Sequence, residues 1–307
     1  MDPLDLIEKG DIKRFFRATR KLTAPGIVSH ITQRAAGKEP LFLEDGDYLF
    51  MLGLLKDIAN KYSLDMYAFC LMPNHIHLLF SPAKENLYDA MRDLFSRYAL
   101  GFNRKYERKG HLFGGPYRQA VCFDNGYLLA VSLYIHLNPV KATIVADPLE
   151  YRWSSVRLYC DEKAPKSFID PYFVLNVLSG QESSKAKNYK RLLKHGSKIE
   201  TGHVLEKEDS IERFGSKLKA KFPKLFKQVE QEKKIKNPFT VDLLDIDALE
   251  KQIEEMVKNP GPNTPKSRKA KKYLIEQLLA RGFKKIEIAD RLGISRKTVY
   301  NILKTSM

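Results

Sequence analysis

The chain has 307 residues, 43% hydrophobic and 29% charged, with a formal net charge of +16 and three cysteines. That length allows a full core and more than one domain. The longest apolar runs, such as Leu49 to Leu55, are far too short to span a bilayer, and Asp2, Asp5, Glu8 and Asp11 interrupt any secretory leader. Cys70, Cys122 and Cys160 are odd in number and far apart, which argues against a disulfide framework and a thiolate zinc site. A reducing cytoplasm with no membrane contact is the expected setting, with the protein held near the nucleoid. The charge is uneven: residues 1–180 carry 23 Lys+Arg against 20 Asp+Glu, and residues 181–307 carry 30 against 17. A cationic C-terminal part points to a polyanion, and nucleic acid is the usual one.

In chain order, residues 1–24 read as a short helical lead-in with Leu4, Ile7, Phe15 and Phe16 as apolar points. Residues 26–33, rich in β-branched side chains after Pro25, predict a first strand. Leu49, Leu52, Leu55 and Ile58 recur at helical spacing and predict a helix over 45–62. Residues 66–71 and 74–80 read as two strands joined at Pro73, and 86–106 as an amphipathic helix. A loop over 110–115, a strand over 117–123 and a helix over 125–137, ended by Pro139, follow. The order β-α-β-β-α-β-α fits an α+β fold, a ferredoxin-like antiparallel sheet with helices packed on one face. The expected organisation is this module over 1–160, an all-α connecting region over 161–258, a Pro/Gly-rich linker over 259–265 and a last domain over 266–307.

That last domain reads as helices over 271–281, 286–292 and 296–304, with Gly293-Ile294-Ser295 as the tight turn and Ser295 as N-cap. Val299, Ile302 and Leu303 face inward, which leaves Arg296, Lys297, Tyr300 and Asn301 outward. This is the pattern of a helix-turn-helix, whose final helix enters the major groove of duplex DNA.

The chemistry concentrates in Cys70-Leu-Met-Pro-Asn-His75-Ile-His77-Leu-Leu-Phe80. Side chains alternate across a strand, so His75 and His77 share a face and offer half of a metal site. Alone, His-x-His is a weak signal. In Tyr134-Ile-His-Leu-Asn138-Pro139, Tyr134 and Asn138 stand four apart and share a helix face. Arg104, Lys105, Arg108, Lys109 and Arg118 lie between the two segments, either as phosphate contacts or as a solvated surface. Phe113 and Tyr117 suit base stacking or core packing equally. His30 and His111 read as packed or capping residues, and His136 as structural or DNA-facing.

Pro73-Asn-His-Ile-His77, Gly110-His-Leu-Phe113, Tyr117-Arg118 and Tyr134-Ile-His-Leu-Asn-Pro-Val-Lys141 together resemble the HUH single-strand DNA transposases, most closely the REP-associated tyrosine transposases. The resemblance covers about half the chain, near residues 20–160. It implies the HUH fold and a divalent metal, Mg²⁺ or Mn²⁺, held by His75, His77 and Asn138. It also implies that Tyr134 cleaves single-stranded DNA through a covalent 5′-phosphotyrosine, at hairpin-flanked sites. A homodimer is left open. Two departures bear on substrate detail: Gly114-Gly-Pro116 replaces a bulkier polar residue, and Thr143 stands where glycine is common. Two rivals remain. One is a non-catalytic DNA-binding regulator that keeps the domain as a scaffold. The other is a metal-dependent hydrolase of small phosphoesters, which leaves the basic C-terminal part without a use.

Overall fold

The computed structural model describes residues 15–16, 25–37, 39–122, 124–161, 164–199, 210–231, 246–259, 264–280 and 285–304. They fall into two compact units, residues 17–240 and residues 1–16 with 241–307. The expected connecting region 161–258 is thus divided between the two. Most of the expected N-terminal helical lead-in lies outside the described residues; within it, Phe15–Phe16 is a two-residue strand, β1, rather than helix. No helix among the described residues is long and apolar enough to cross a membrane.

In the larger unit the strands are β2 (Ser29–Arg34), β3 (Leu64–Met72), β4 (His75–Pro82) and β5 (Arg118–Val121). Their order is β5-β2-β4-β3, antiparallel throughout. Helix α1 (Asp45–Tyr62) links β2 to β3, and α2 (Leu87–Lys105) links β4 to β5. This is the ferredoxin-like connection. Strands β3 and β4 are buried almost end to end, so they read as continuous apolar runs rather than as an alternation.

That burial has a cause. Helix α3 (Asn125–Lys141) covers the sheet face that carries His77. Gln33 points to the opposite face. There it lines a cavity of about 740 Å³ together with Phe95 and Asn103 of α2 and with Phe113 and Tyr117. Helices therefore pack on both faces, not on one as expected.

Helix α1 starts where Asp47 accepts from the Leu43 and Glu44 amides at 2.8 and 3.2 Å, and it stops at Ser63 in the left-handed region. Helix α3 is buried on all sides from Gly126 to Pro139. It therefore has no polar face, as expected of a helix inside a core. Asp124 caps it, accepting from the Tyr127 amide at 2.6 Å. The helix runs through Pro139 to Lys141 instead of ending before it. A proline this near the C-terminus removes one backbone donor, and Ala142 N to Asn138 O at 2.9 Å continues the ladder. Asn138 therefore stays in helical register with Tyr134. Past the helix end, Thr143 sits at φ 57, a conformation that explains why glycine suits this position.

The 3₁₀ turn Pro148–Glu150 is followed by α4 (Val156–Cys160), α5 (Tyr172–Leu175), α6 (Glu182–Gly196), α7 (Ser210–Lys221) and α8 (Pro223–Gln231). They share one core with the sheet through Tyr159, Tyr189, Leu192, Phe214, Leu218 and Phe226. A buried polar chain ties them to α3. His136 Nδ1 meets Tyr189 Oη at 2.8 Å, Nε2 meets Ser155 Oγ at 2.8 Å, and Tyr189 donates to Ser132 Oγ at 3.1 Å. Burial keeps His136 neutral, so one ring nitrogen donates and the other accepts. His136 is fully buried, which settles it as structural. His136→Ala removes one partner from each of two buried hydroxyls and leaves a cavity. It is expected to destabilise the fold by about 3 kcal/mol in urea denaturation, and a loss below about 1 kcal/mol would refute this role.

The smaller unit contains α9 (Ile246–Lys258), α10 (Pro265–Ala280), α11 (Lys285–Arg291) and α12 (Arg296–Lys304). Its core is Leu249, Ile253, Leu274, Ile275, Leu278, Ile288, Leu292 and Val299, with Ile302 and Leu303 packed against it. Helix α10 starts earlier than expected. Pro265 suits a first helical position, and Thr264 Oγ1 accepts from Ser267 N at 3.2 Å. Of the expected linker, residues 260–263 lie outside the described residues. Gly293 makes the turn at φ 61, and Ser295 Oγ caps α12 by accepting from Thr298 N at 3.0 Å.

Candidate active site

The Met72–His75 hairpin turn is pinned by backbone bonds, Leu41 N to Pro73 O at 2.6 Å and Ala35 N to Asn74 O at 3.0 Å. This fixes the start of β4 and hence the histidines. Register aligns Arg34 with His75, Thr32 with His77 and His30 with Leu79. On the other side of β2, Arg118 aligns with Thr32 and Ala120 with His30. Directly opposed residues share a face. His75, His77, His30, Thr32, Arg34 and Arg118 therefore all stand on the face that α3 covers.

Each imidazole has a partner on Nδ1. His75 Nδ1 lies 2.7 Å from Asn74 Oδ1, and His77 Nδ1 lies 2.9 Å from His30 Nε2. Asn74 Oδ1 can only accept, so His75 is protonated on Nδ1 and its Nε2 is a lone pair. His77 Nε2 is buried with no hydrogen-bond partner among the described residues. The Asn138 amide nitrogen donates to Tyr134 O at 2.9 Å.

Burial lowers the pKa of both rings, His75 to about 4 and His77 well below the ordinary value. The positive charge of Arg34 adds to the lowering, and the Asn138 side chain opposes it at both rings. His75 and His77, both neutral, offer ring nitrogens, and Asn138 acts on both rings. That donor set fits a cation. No group of three His, Cys, Asp or Glu is placed to hold a metal among the described residues.

Tyr134 completes the group. Its ring meets His77 edge-on at a centroid distance of 6.1 Å, and Phe214 of α7 packs against it at 6.3 Å. It is 5% exposed. Burial pushes the phenol pKa up, and the Arg34 guanidinium opposes the rise. Arg34 in turn is lowered by burial first and then by Arg118. Neither Arg34 nor His30 was among the expected site residues. Their common signal is the spacing His30-x-Thr32-x-Arg34, the same period-two pattern as His75-x-His77.

The basic residues expected to contact DNA separate into groups. Arg118 is exposed beside the site. Lys105 donates to Asp47 Oδ1 at 2.6 Å and Glu44 Oε1 at 2.5 Å, tying α2 to the start of α1. Arg108 pairs with Glu39 and donates to His111 O at 3.2 Å, which closes the loop. Both cations are held in structural pairs rather than held out toward a phosphate. Arg104 and Lys109 are exposed at and beyond the end of α2. Phe113 and Tyr117 line the cavity on the opposite face, packed against Phe95 at 5.2 and 6.3 Å. Arg296, Lys297, Tyr300 and Asn301 are all exposed on α12.

The family described as "Transposase IS200 like" matches residues 25–138. That segment is similar to the IS200-like transposases. It holds the sheet, both histidines, Tyr134 and Asn138. A second family, described as "Homeodomain-like domain", matches residues 266–307. One solved structure, described as "Structure of the REP associates tyrosine transposase bound to a REP hairpin", is similar at 12% identity. That match covers 50% of this chain and 94% of that chain, with a TM-score of 0.43. The curated proteins hold no match.

Proposed function

We propose that the transposase domain cuts and rejoins single-stranded DNA beside a hairpin through a covalent phosphotyrosine at Tyr134. A divalent ion, Mg²⁺ or Mn²⁺, would be held by His75, His77 and Asn138. The observation that carries this reading is the convergence of unprotonated acceptors at the His75/His77 pair, with the Tyr134 ring beside them. When bound, the ion offsets charge on a non-bridging phosphate oxygen.

The protein supplies the rest. The Tyr134 oxygen bonds to phosphorus, and the bond from phosphorus to the 3′ oxygen breaks. The phenol gives its proton to water, and the departing oxygen gains one from water. The guanidinium of Arg34 favours the anionic phenol, and Arg118 at the exposed side suits a neighbouring phosphate. The phosphotyrosyl bond conserves the energy of the cleaved bond, so the freed 3′ hydroxyl can rejoin without a nucleotide cofactor. The test is incubation of the full chain with hairpin-bearing single-stranded oligonucleotides and Mn²⁺. A band of protein–DNA adduct that survives denaturation is expected. Cleavage with no adduct would favour a hydrolase, and binding with neither would favour a regulator.

The helix-turn-helix is assigned to duplex DNA, with α12 in the major groove. Arg296→Ala or Lys297→Ala is expected to weaken duplex binding across sequences. Each should lower the slope of log affinity against log salt by about one. Unchanged slopes in titrations at several salt concentrations would remove α12 from the interface.

A further inference from the structure

We infer that His30 is a positioning residue that holds His77 as the tautomer protonated on Nδ1, with its Nε2 lone pair turned toward the cation. This rests on the metal reading above, but it concerns a proton whose location can be measured without any metal.

The contact between the two rings is in-plane. Their planes differ by only 21°, and the 5.1 Å centroid separation is what a 2.9 Å nitrogen–nitrogen contact between edge-to-edge imidazoles requires. One nitrogen of the pair must donate. If His30 donated, His77 would carry its proton on Nε2. That atom is buried and has no acceptor among the described residues, so a donor there would go unsatisfied. If His77 donates, Nε2 is a bare lone pair, which a cation satisfies. The same choice is already fixed at His75 by Asn74 Oδ1.

Thr32 Oγ1 lies 3.4 Å from both His30 Nε2 and His77 Nδ1, beside the shared proton. His30 is 4% exposed and His77 is 4% exposed, so water does not compete for the bond. Register explains why β2 supplies this partner. His30 pairs with Leu79, one diagonal step from His77, and an imidazole spans that step. Metal-bound histidines commonly donate their second nitrogen in this way, and loss of the acceptor weakens metal binding.

The test uses the full chain without metal, with ¹⁵N-labelled histidine. Nitrogen chemical shifts are expected to show His77 protonated on Nδ1 in the native protein and on Nε2 in the larger share of His30→Ala molecules. Mn²⁺ titration read by electron paramagnetic resonance is expected to show about 10- to 100-fold weaker binding in His30→Ala. His30→Gln, whose amide oxygen can accept the proton, should recover part of that loss. A native His77 protonated on Nε2 overturns the inference, and so does unchanged Mn²⁺ affinity in a folded His30→Ala. If His30→Ala does not fold, the native spectrum and His30→Gln still decide. If the native protein shows the Nδ1 tautomer but binds no Mn²⁺, the metal reading fails while the role of His30 stands.

Discussion

Tyr134→Phe is expected to abolish the covalent protein–DNA adduct and to lower strand cleavage by about 10⁴-fold or more, the scale seen when a nucleophile is removed from an intact site. The substitution deletes a single oxygen. The ring keeps its edge contacts with His77 and Phe214, so folding and hairpin binding should persist. Native-like denaturation and native-like hairpin affinity are the controls. Adduct formation at an undiminished level in Tyr134→Phe would place the nucleophile elsewhere. Loss of cleavage together with loss of hairpin binding would show that Tyr134 serves recognition instead.

His77→Ala should have the second largest effect. It removes a proposed ligand and leaves the buried His30 Nε2 without its ring partner. Mn²⁺ affinity is expected to fall by about 100-fold or more, and cleavage with it. Fold stability should drop by about 2 kcal/mol from the unpaired imidazole and the space left behind. Hairpin binding measured without metal should change little, because Arg118, the cation proposed to meet a phosphate, is untouched. Full Mn²⁺ affinity in His77→Ala, measured by calorimetry, would dismantle the proposed ligand set.

Much of this candidate site was legible in the sequence. Alternation put His75 and His77 on one face, and the four-residue spacing put Tyr134 with Asn138. The sequence alone could not show which side of α3 meets the sheet. That helix is apolar all round, so periodicity gives it no preferred face. Nor could it place β2 against β4, because register is a tertiary property and a slip of one residue would turn His30 and Arg34 away from the site. The roles of Lys105 and Arg108 depend on Asp47 and Glu39, partners distant in sequence, so a cluster that looked like a phosphate-facing patch is partly a set of structural pairs. Pro139 misled for a local reason: a proline signals a helix end, but within the final turn the cost is one hydrogen bond. The helix-turn-helix was read most fully, since caps, turn glycine and buried face are all local features.

The proposed chemistry depends on one covalent bond, which can be sought directly. Full-length protein would be incubated with a hairpin-bearing single-stranded DNA and Mn²⁺, digested with protease and nuclease, and mapped by mass spectrometry. A nucleotide joined through its 5′ phosphate to Tyr134 is the result this account predicts. The same linkage on another residue, or cleaved DNA with unmodified Tyr134 throughout, would contradict it.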